Sequence, residues 1–216
     1  MSEPLGVIEI FCSIQGESSF AGLPCVMVRL QGCPLSCRHC DTAYARQEQG
    51  TEMDLEQVVE RVLGFKVAHV ELTGGEPLAQ PMAFPLLSRL CDSGLTVLLE
   101  TSGALDISPV DPRVHIIMDL KPPSTGMAQR MRFANLALLR QKDELKLVLA
   151  SKDDYLWARQ ILEEHHPQEQ CQVLMSPIFG ELDPADLAGW ILDDNLPVRM
   201  QVQLHKVIWP EEDRGV

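Results

Sequence analysis

Three cysteines, Cys33, Cys37 and Cys40, fall within the stretch GCPLSCRHCDT (32–42) of a chain that has seven cysteines altogether. Thiolates at i, i+4 and i+7, in a loop that also holds Gly32 and Pro34, can wrap a metal centre, and two centres compete. Structural zinc takes four ligands. The stretch offers three and no further C-x2-C pair lies elsewhere, so His39 or a distant cysteine would have to complete a zinc site. A 4Fe-4S cluster held by three cysteines instead leaves one iron without a protein ligand, open to a small molecule. An odd count with three clustered also favours metal or redox chemistry over a disulfide framework. The remaining Cys12, Cys25, Cys91 and Cys171 are scattered; Cys91 and Cys171 read as packed small hydrophobes, whereas Cys12 and Cys25 neighbour other candidate residues.

A second stretch, ELTGGEPL (71–78), ends an apolar run in two glycines, which let backbone approach a ligand without interference from a Cβ. Two more polar stretches, LETSG (99–103) and MDLKPPS (118–124), likewise follow apolar runs. These residues need elements to carry them. Strand-length, β-branched-rich runs recur at 7–11, 25–30, 69–73, 96–100, 114–120, 145–150, 172–177 and 198–204. Helical periodicity covers 53–65, 81–94, 131–141, 152–166 and 184–195, so strand then helix is the expected order throughout. The alternation predicts an α/β fold, a parallel sheet covered by outer helices and curved into a shortened, partial barrel. In that layout chemistry gathers after the C-terminal ends of the strands, where all four stretches lie. No repeat or linker divides the chain, and a single domain over 1–216 is expected.

Charge narrows the partners. Eighteen basic residues against 31 acidic give a net charge of -13, opposite to the basic footprint that phosphate backbones require. No nucleic-acid or anionic-membrane partner is expected. The N-terminal MSEPLGVIEIF has no basic segment followed by an apolar one, and no apolar run approaches the roughly 20 residues of a membrane-spanning helix. A soluble, cytoplasmic protein is the expectation.

The C-x3-C-x2-C spacing, followed about one strand-helix unit later by GGEP, resembles the radical S-adenosylmethionine (SAM) superfamily. The resemblance implies a partial (β/α)6-type barrel and a 4Fe-4S cluster whose open iron is chelated by SAM. An electron from the cluster then cleaves SAM to methionine and a 5'-deoxyadenosyl radical. It also nominates SAM-binding residues: Arg38, His39 and Asp41 beside the cysteines, Gly74, Gly75 and Glu76 in GGEP, Glu100 and Ser102 in LETSG, and Asp119 and Lys121 in MDLKPPS. His39 stands where the superfamily often has a large aromatic, so its ring could face adenine.

A narrower resemblance, to the 7-carboxy-7-deazaguanine synthase family, rests on FCSIQGESSFAGLPCVMVRLQGCPLSCRHCDT and on the ending LHKVIWPEEDRGV. It implies ring contraction of 6-carboxy-5,6,7,8-tetrahydropterin to 7-carboxy-7-deazaguanine with loss of ammonia, on the route to queuosine and other 7-deazapurines. It also implies Mg2+ on Thr42, whose neutral hydroxyl suits a hard cation that keeps water and substrate oxygens. A homodimer and a flavodoxin- or ferredoxin-type reductant come with it. A pterin presents an edge of alternating donors and acceptors plus a carboxylate. Gln15 and Glu17 can meet the edge, and Arg29 can fork onto the carboxylate. Ile14, Gly16, Thr73, His205, Lys206 and the terminal carboxylate of Val216 complete the implied substrate set. The rival readings are an activating enzyme for glycyl-radical proteins, which has no use for the Gln-Gly-Glu and Arg29 set, and a zinc or electron-transfer module, which has none for GGEP.

Overall fold

In the computed structural model, which describes residues 3–212 and 214–216, nine strands form one sheet in the order β3-β1-β2-β4-β5-β6-β7-β8-β9. They are β1 (Leu5–Ile14), β2 (Pro24–Leu30), β3 (Thr51–Met53), β4 (His69–Gly74), β5 (Thr96–Thr101), β6 (His115–Asp119), β7 (Glu144–Leu149), β8 (Gln172–Pro177) and β9 (Arg199–Met200). Every pairing from β2 through β9 is parallel, whereas β1 pairs antiparallel with β2 and β3. The order ends at β3 and β9 rather than returning on itself, so the α/β fold is an open, partial barrel.

Side chains alternate across each strand, and the barrel separates them by chemistry. Val28 and Leu30 of β2, Val70 and Leu72 of β4, and Val97 and Leu99 of β5 enter the main core. There they meet Val58, Val59 and Val62 of α2 (Leu55–Gly64) and Leu86, Leu87 and Leu90 of α3 (Ala83–Asp92). The intervening residues point inward: Cys25, Met27, Leu98 and Ile117 make a small second cluster with Phe11 and Phe20. Closer to the strand ends the inward positions turn polar, with Glu71, Thr73, Glu100, Asp119 and Lys146. This polar inner layer is what positions the site.

Local signals set the helix ends. Asp54 caps α2 through a reciprocal pair with Gln57, 2.9 Å in each direction. Ser151 caps α4 (Lys152–His165), and Asp183 followed by Pro184 starts α5 (Pro184–Asp193). Trp157 and Trp190 of these helices pack against the core, and Lys152 Nζ lies 4.3 Å over the Trp190 ring. No helix of the described residues is long and apolar enough to cross a membrane.

Several expectations need correction. Segment 131–141 is not an α-helix but a 3-10 stretch over 133–138, because buried Asn135 spends its amide on Gly103 O (3.0 Å) and Leu105 O (2.7 Å). Side-chain bonds to distant backbone compete with the helical ladder. The run 198–204 yields only the two-residue β9, after which the chain turns into α6 (Leu204–Ile208), held by Leu204 N to Gly16 O at 2.9 Å. Strand-then-helix also fails at the β1–β2 hairpin and between β5 and β6, where no helix intervenes. The segment after the cysteines, not assigned from sequence, holds α1 (Ala43–Gln47) and β3.

Candidate active site

A cavity of about 390 Å³ opens among the C-terminal ends of the parallel strands. Cys33, Cys37 and Cys40 line it together with His39, Asp41 and Thr42. All seven cysteines are free, and burial comes first among the causes that hold the Cys33 and Cys37 thiols above the ordinary range. A bound metal must displace those protons. Thr42 precedes α1, yet its hydroxyl makes no cap bond; it lies 3.9 Å from Cys40 Sγ. His39 Nδ1 lies 2.8 Å from Glu181 Oε1, which fixes the ring at the cavity wall.

The GGEP turn seats this loop. Gly75 N bonds Leu30 O at 3.1 Å and Glu76 N bonds Gly32 O at 2.8 Å, so the turn is stitched to the start of the cysteine stretch. Gly74 and Gly75 line the cavity, but Glu76 does not. Its fully buried carboxylate accepts from Thr101 Oγ1 (2.8 Å), Ser102 N (2.8 Å), Ser102 Oγ and Leu78 N (3.2 Å). With every oxygen spent inside the protein, Glu76 ties β4 to β5 rather than facing a ligand. Arg38 also departs from expectation: its side chain is exposed and outside the cavity wall, and only its backbone N is tied, to Thr125 O. Ser102, Glu100, Asp119 and Lys121 do line the cavity.

Every expected substrate residue, Ile14, Gln15, Gly16, Glu17, Arg29, Thr73, His205, Lys206 and Val216, reaches the same cavity. Gln15 is already engaged at both ends: Oε1 accepts from Glu17 N at 3.1 Å and Nε2 donates to Glu71 Oε2. Arg29 donates Nε to Glu9 Oε1 at 2.7 Å, an oxygen that Tyr44 OH also reaches at 2.7 Å, and the outer guanidinium nitrogens make no hydrogen bond among the described residues. His205 packs on Gly16, and burial pulls its pKa down from the ordinary range.

Sequence reasoning passed over several wall residues: Met27, Leu35, Glu71, Thr125, Lys146, Ile178, Phe179 and Gln203. Lys146 is the largest omission. It is 3% exposed, and its Nζ meets Glu17 Oε2 (2.8 Å), Glu100 Oε1 and Asp119 Oδ2 (3.3 Å). Asp119 Oδ2 also takes Lys121 Nζ at 2.9 Å, and Thr73 Oγ1 donates to Glu100 Oε2 at 3.3 Å. The charges sort accordingly. Burial pushes Glu17 and Glu71 up, Glu71 well above the usual carboxylate range. Burial acts the same way on Glu100 and Asp119, yet the lysines outweigh it and hold both low. Glu17 Oε1 and Asp119 Oδ1 are buried acceptors without a partner. Inward-pointing polar residues within the apolar runs ELT and LKLVLA were the available signal.

The C-terminal tail is fastened across the mouth. Arg214 lies 4.0 Å over the Tyr44 ring and grips Glu48 with two nitrogens, one at 3.1 Å, which brings Val216 to the wall.

Residues 27–121 match the radical SAM superfamily model. The 7-carboxy-7-deazaguanine synthase of Chlorobaculum tepidum is 52% identical, over 99% of this chain and 98% of that protein. The Koribacter versatilis protein of the same name is 38% identical over 97% and 99%. The crystal structure of QueE from Escherichia coli, 22% identical, superposes with a TM-score of 0.70 over 94% of this chain and 95% of that one. The radical SAM family implies a 4Fe-4S cluster and SAM. The residues present fit both. Three free thiols line one cavity. That arrangement suits a cluster, in which each thiolate serves its own iron. Beside it, Gly75 leaves bare backbone where a Cβ would strike Gly32 O, and Asp119 Oδ1 awaits a donor. The chain belongs to the 7-carboxy-7-deazaguanine synthase family of the radical SAM superfamily.

Proposed function

We propose that this protein converts 6-carboxy-5,6,7,8-tetrahydropterin to 7-carboxy-7-deazaguanine with release of ammonia, as a step of queuosine and 7-deazapurine biosynthesis. One observation carries the reading: the cavity that holds the three thiols also holds an acceptor edge and a cation suited to a carboxylated pterin. When bound, the cluster and SAM supply the radical that takes a hydrogen from the substrate.

The chain's own residues bind, orient and shield. Cys33, Cys37 and Cys40 would hold the cluster, with Gly74, Gly75, Ser102, Asp119, Lys121 and the His39 ring around SAM. Glu17 Oε1 accepts from the pterin's amino and N–H groups, and the second N–H and second oxygen lone pair of the Gln15 amide extend that edge. Arg29, its Nε braced by Glu9, presents its outer nitrogens to the substrate carboxylate. Thr42, with Asp41 beside it, would offer Mg2+ a hydroxyl, leaving the other positions to water and substrate oxygens. His205 and Val216 close the mouth. A homodimer, a flavodoxin- or ferredoxin-type electron donor and a cytoplasmic setting belong to the same reading.

The test is anaerobic reconstitution with iron and sulfide, then incubation with SAM, dithionite and carboxytetrahydropterin. Formation of 7-carboxy-7-deazaguanine and ammonia is expected; a reconstituted protein that makes neither refutes the proposal.

A further inference from the structure

Lys146 stands inside the partial barrel, on the middle of β7, its ammonium hydrogen-bonded to Glu17 and Glu100 and ion-paired with Asp119, carboxylates on three other segments. Glu17 comes from the β1–β2 loop, Glu100 from β5 and Asp119 from β6. A lysine so engaged is committed to its three acids, and its pKa is held well above the ordinary value because they outweigh the cost of burial. It therefore serves as neither base nor ligand donor, and its effect passes through its partners. The pattern of occupied oxygens shows what that effect is. The lysine takes Oε2 of Glu17 and Oδ2 of Asp119, and the oxygens it leaves, Glu17 Oε1 and Asp119 Oδ1, are the buried unpartnered acceptors of the cavity.

We propose that Lys146 is the positioning residue that determines pterin specificity: by holding one oxygen of Glu17 it presents the other to the donor edge of the substrate. The inference rests on the reading of Glu17 as a substrate acceptor. The groups facing Glu17 are Lys146 from β7, Glu100 from β5, Asp119 from β6 and, across Gln15, Glu71 from β4. Lys146 is the cation among these four. Without it a buried glutamate beside other acids takes up a proton and loses the acceptor charge.

The test compares Lys146→Met, Lys146→Arg, Glu17→Gln and the double variant Glu17→Gln/Lys146→Met, all reconstituted with cluster. Reductive cleavage of SAM without pterin reports an intact cluster and SAM site. Lys146→Met is expected to raise KM for carboxytetrahydropterin about 10-fold or more, with a smaller change in kcat, and to move the acid limb of kcat/KM to higher pH. Lys146→Arg keeps the charge and restores the acid limb. The double variant is expected to be no worse than Glu17→Gln alone, since an amide needs no counter-cation. A wild-type KM and acid limb in Lys146→Met, or full additivity with Glu17→Gln, overturns the proposal. If Lys146→Met holds no cluster, Lys146→Arg decides: an acid limb of kcat/KM that moves to higher pH despite the retained charge overturns it. Wild-type protein that forms no product refutes the functional reading instead, independently of Lys146.

Discussion

A methyl group at Gly75 tests how tightly the GGEP turn holds the cysteine loop. It would stand 2.2 Å from Gly32 O, 2.7 Å from the Gly32 carbonyl carbon and 2.9 Å from Cys33 Cβ, where ordinary contact begins at 3.4 Å. The nearest two atoms are backbone, so no flexible side-chain end can swing clear, and the two loops must part by about 1 Å. That parting pulls on the 2.8 Å bond from Glu76 N to Gly32 O and carries Cys33 along. Overpacking costs about 1–3 kcal/mol, and a weakened backbone bond adds about 1 kcal/mol. For a chain of this size the sum corresponds to a fall in Tm of roughly 5–15 °C. The local effect is larger, because metal–ligand distances tolerate only about 0.2 Å. After anaerobic reconstitution, Gly75→Ala is expected to hold less than half the wild-type iron and sulfide, with visible absorbance reduced in proportion. A full iron and sulfide complement with unchanged Tm refutes the reasoning.

Glu71→Gln is expected to be tolerated and to gain on wild type as pH rises. The pKa of Glu71 is raised in the folded state, so its stabilising contribution is complete below the unfolded pKa and is lost as pH climbs through the folded one. Thermal melts across neutral to alkaline pH check this, and a difference in Tm that stays constant with pH contradicts it. Arg214→Ala should leave Tm almost unchanged, since both partners of the Arg214–Glu48 pair are half exposed. Freeing the tail should nevertheless raise KM for the pterin about 5-fold, the equivalent of roughly 1 kcal/mol; initial-rate kinetics decide. Glu76→Gln turns an amide toward the donors of Thr101 and Ser102 and is expected to cost about 1–3 kcal/mol in chemical denaturation. A change confined to SAM affinity would mean that Glu76 faces the cofactor after all.

The parts of the site legible in sequence are those whose spacing is itself the signal. Three thiols within one loop and two glycines after a strand need no tertiary information. The parallel pairing from β2 onward was legible too, because an apolar run buried against helices reads the same wherever it sits, whereas β1, expected in the same parallel sheet, pairs antiparallel. What escaped were residues whose meaning depends on which way a strand faces. Lys146 in LKLVLA and Glu71 in ELT sit in apolar surroundings, and only the inward pleat turns them toward each other's partners. Glu76 failed in the opposite sense: its place in GGEP suggested a ligand contact, but its carboxylate lies where Thr101 and Ser102 surround it. Asn135 broke an expected helix because its partners, Gly103 and Leu105, are some 30 positions away in sequence.

An open barrel must be sealed at its base by something other than strand pairing, and here the β1–β2 loop does that work. From Gln15 and Glu17 at the cavity the chain runs on to Ser19, whose N–H bonds Glu144 Oε1 at 2.9 Å, and to Phe20, whose ring meets His69 and His115 edge-on at centroid separations of 5.8 and 5.1 Å. Glu144, His69 and His115 all begin their strands, so Phe20 plugs the N-terminal end while Gln15 and Glu17 reach the inner polar layer above it. The Gln-Gly-Glu triplet is thus held from both ends, by the plug below and by Lys146 and Glu71 beside it. Placing acceptors this way costs burial of several carboxylates, which a lysine shared among three of them offsets. A loop anchored only at the surface could carry the same residues, but it could not hold a carboxylate oxygen buried without a partner.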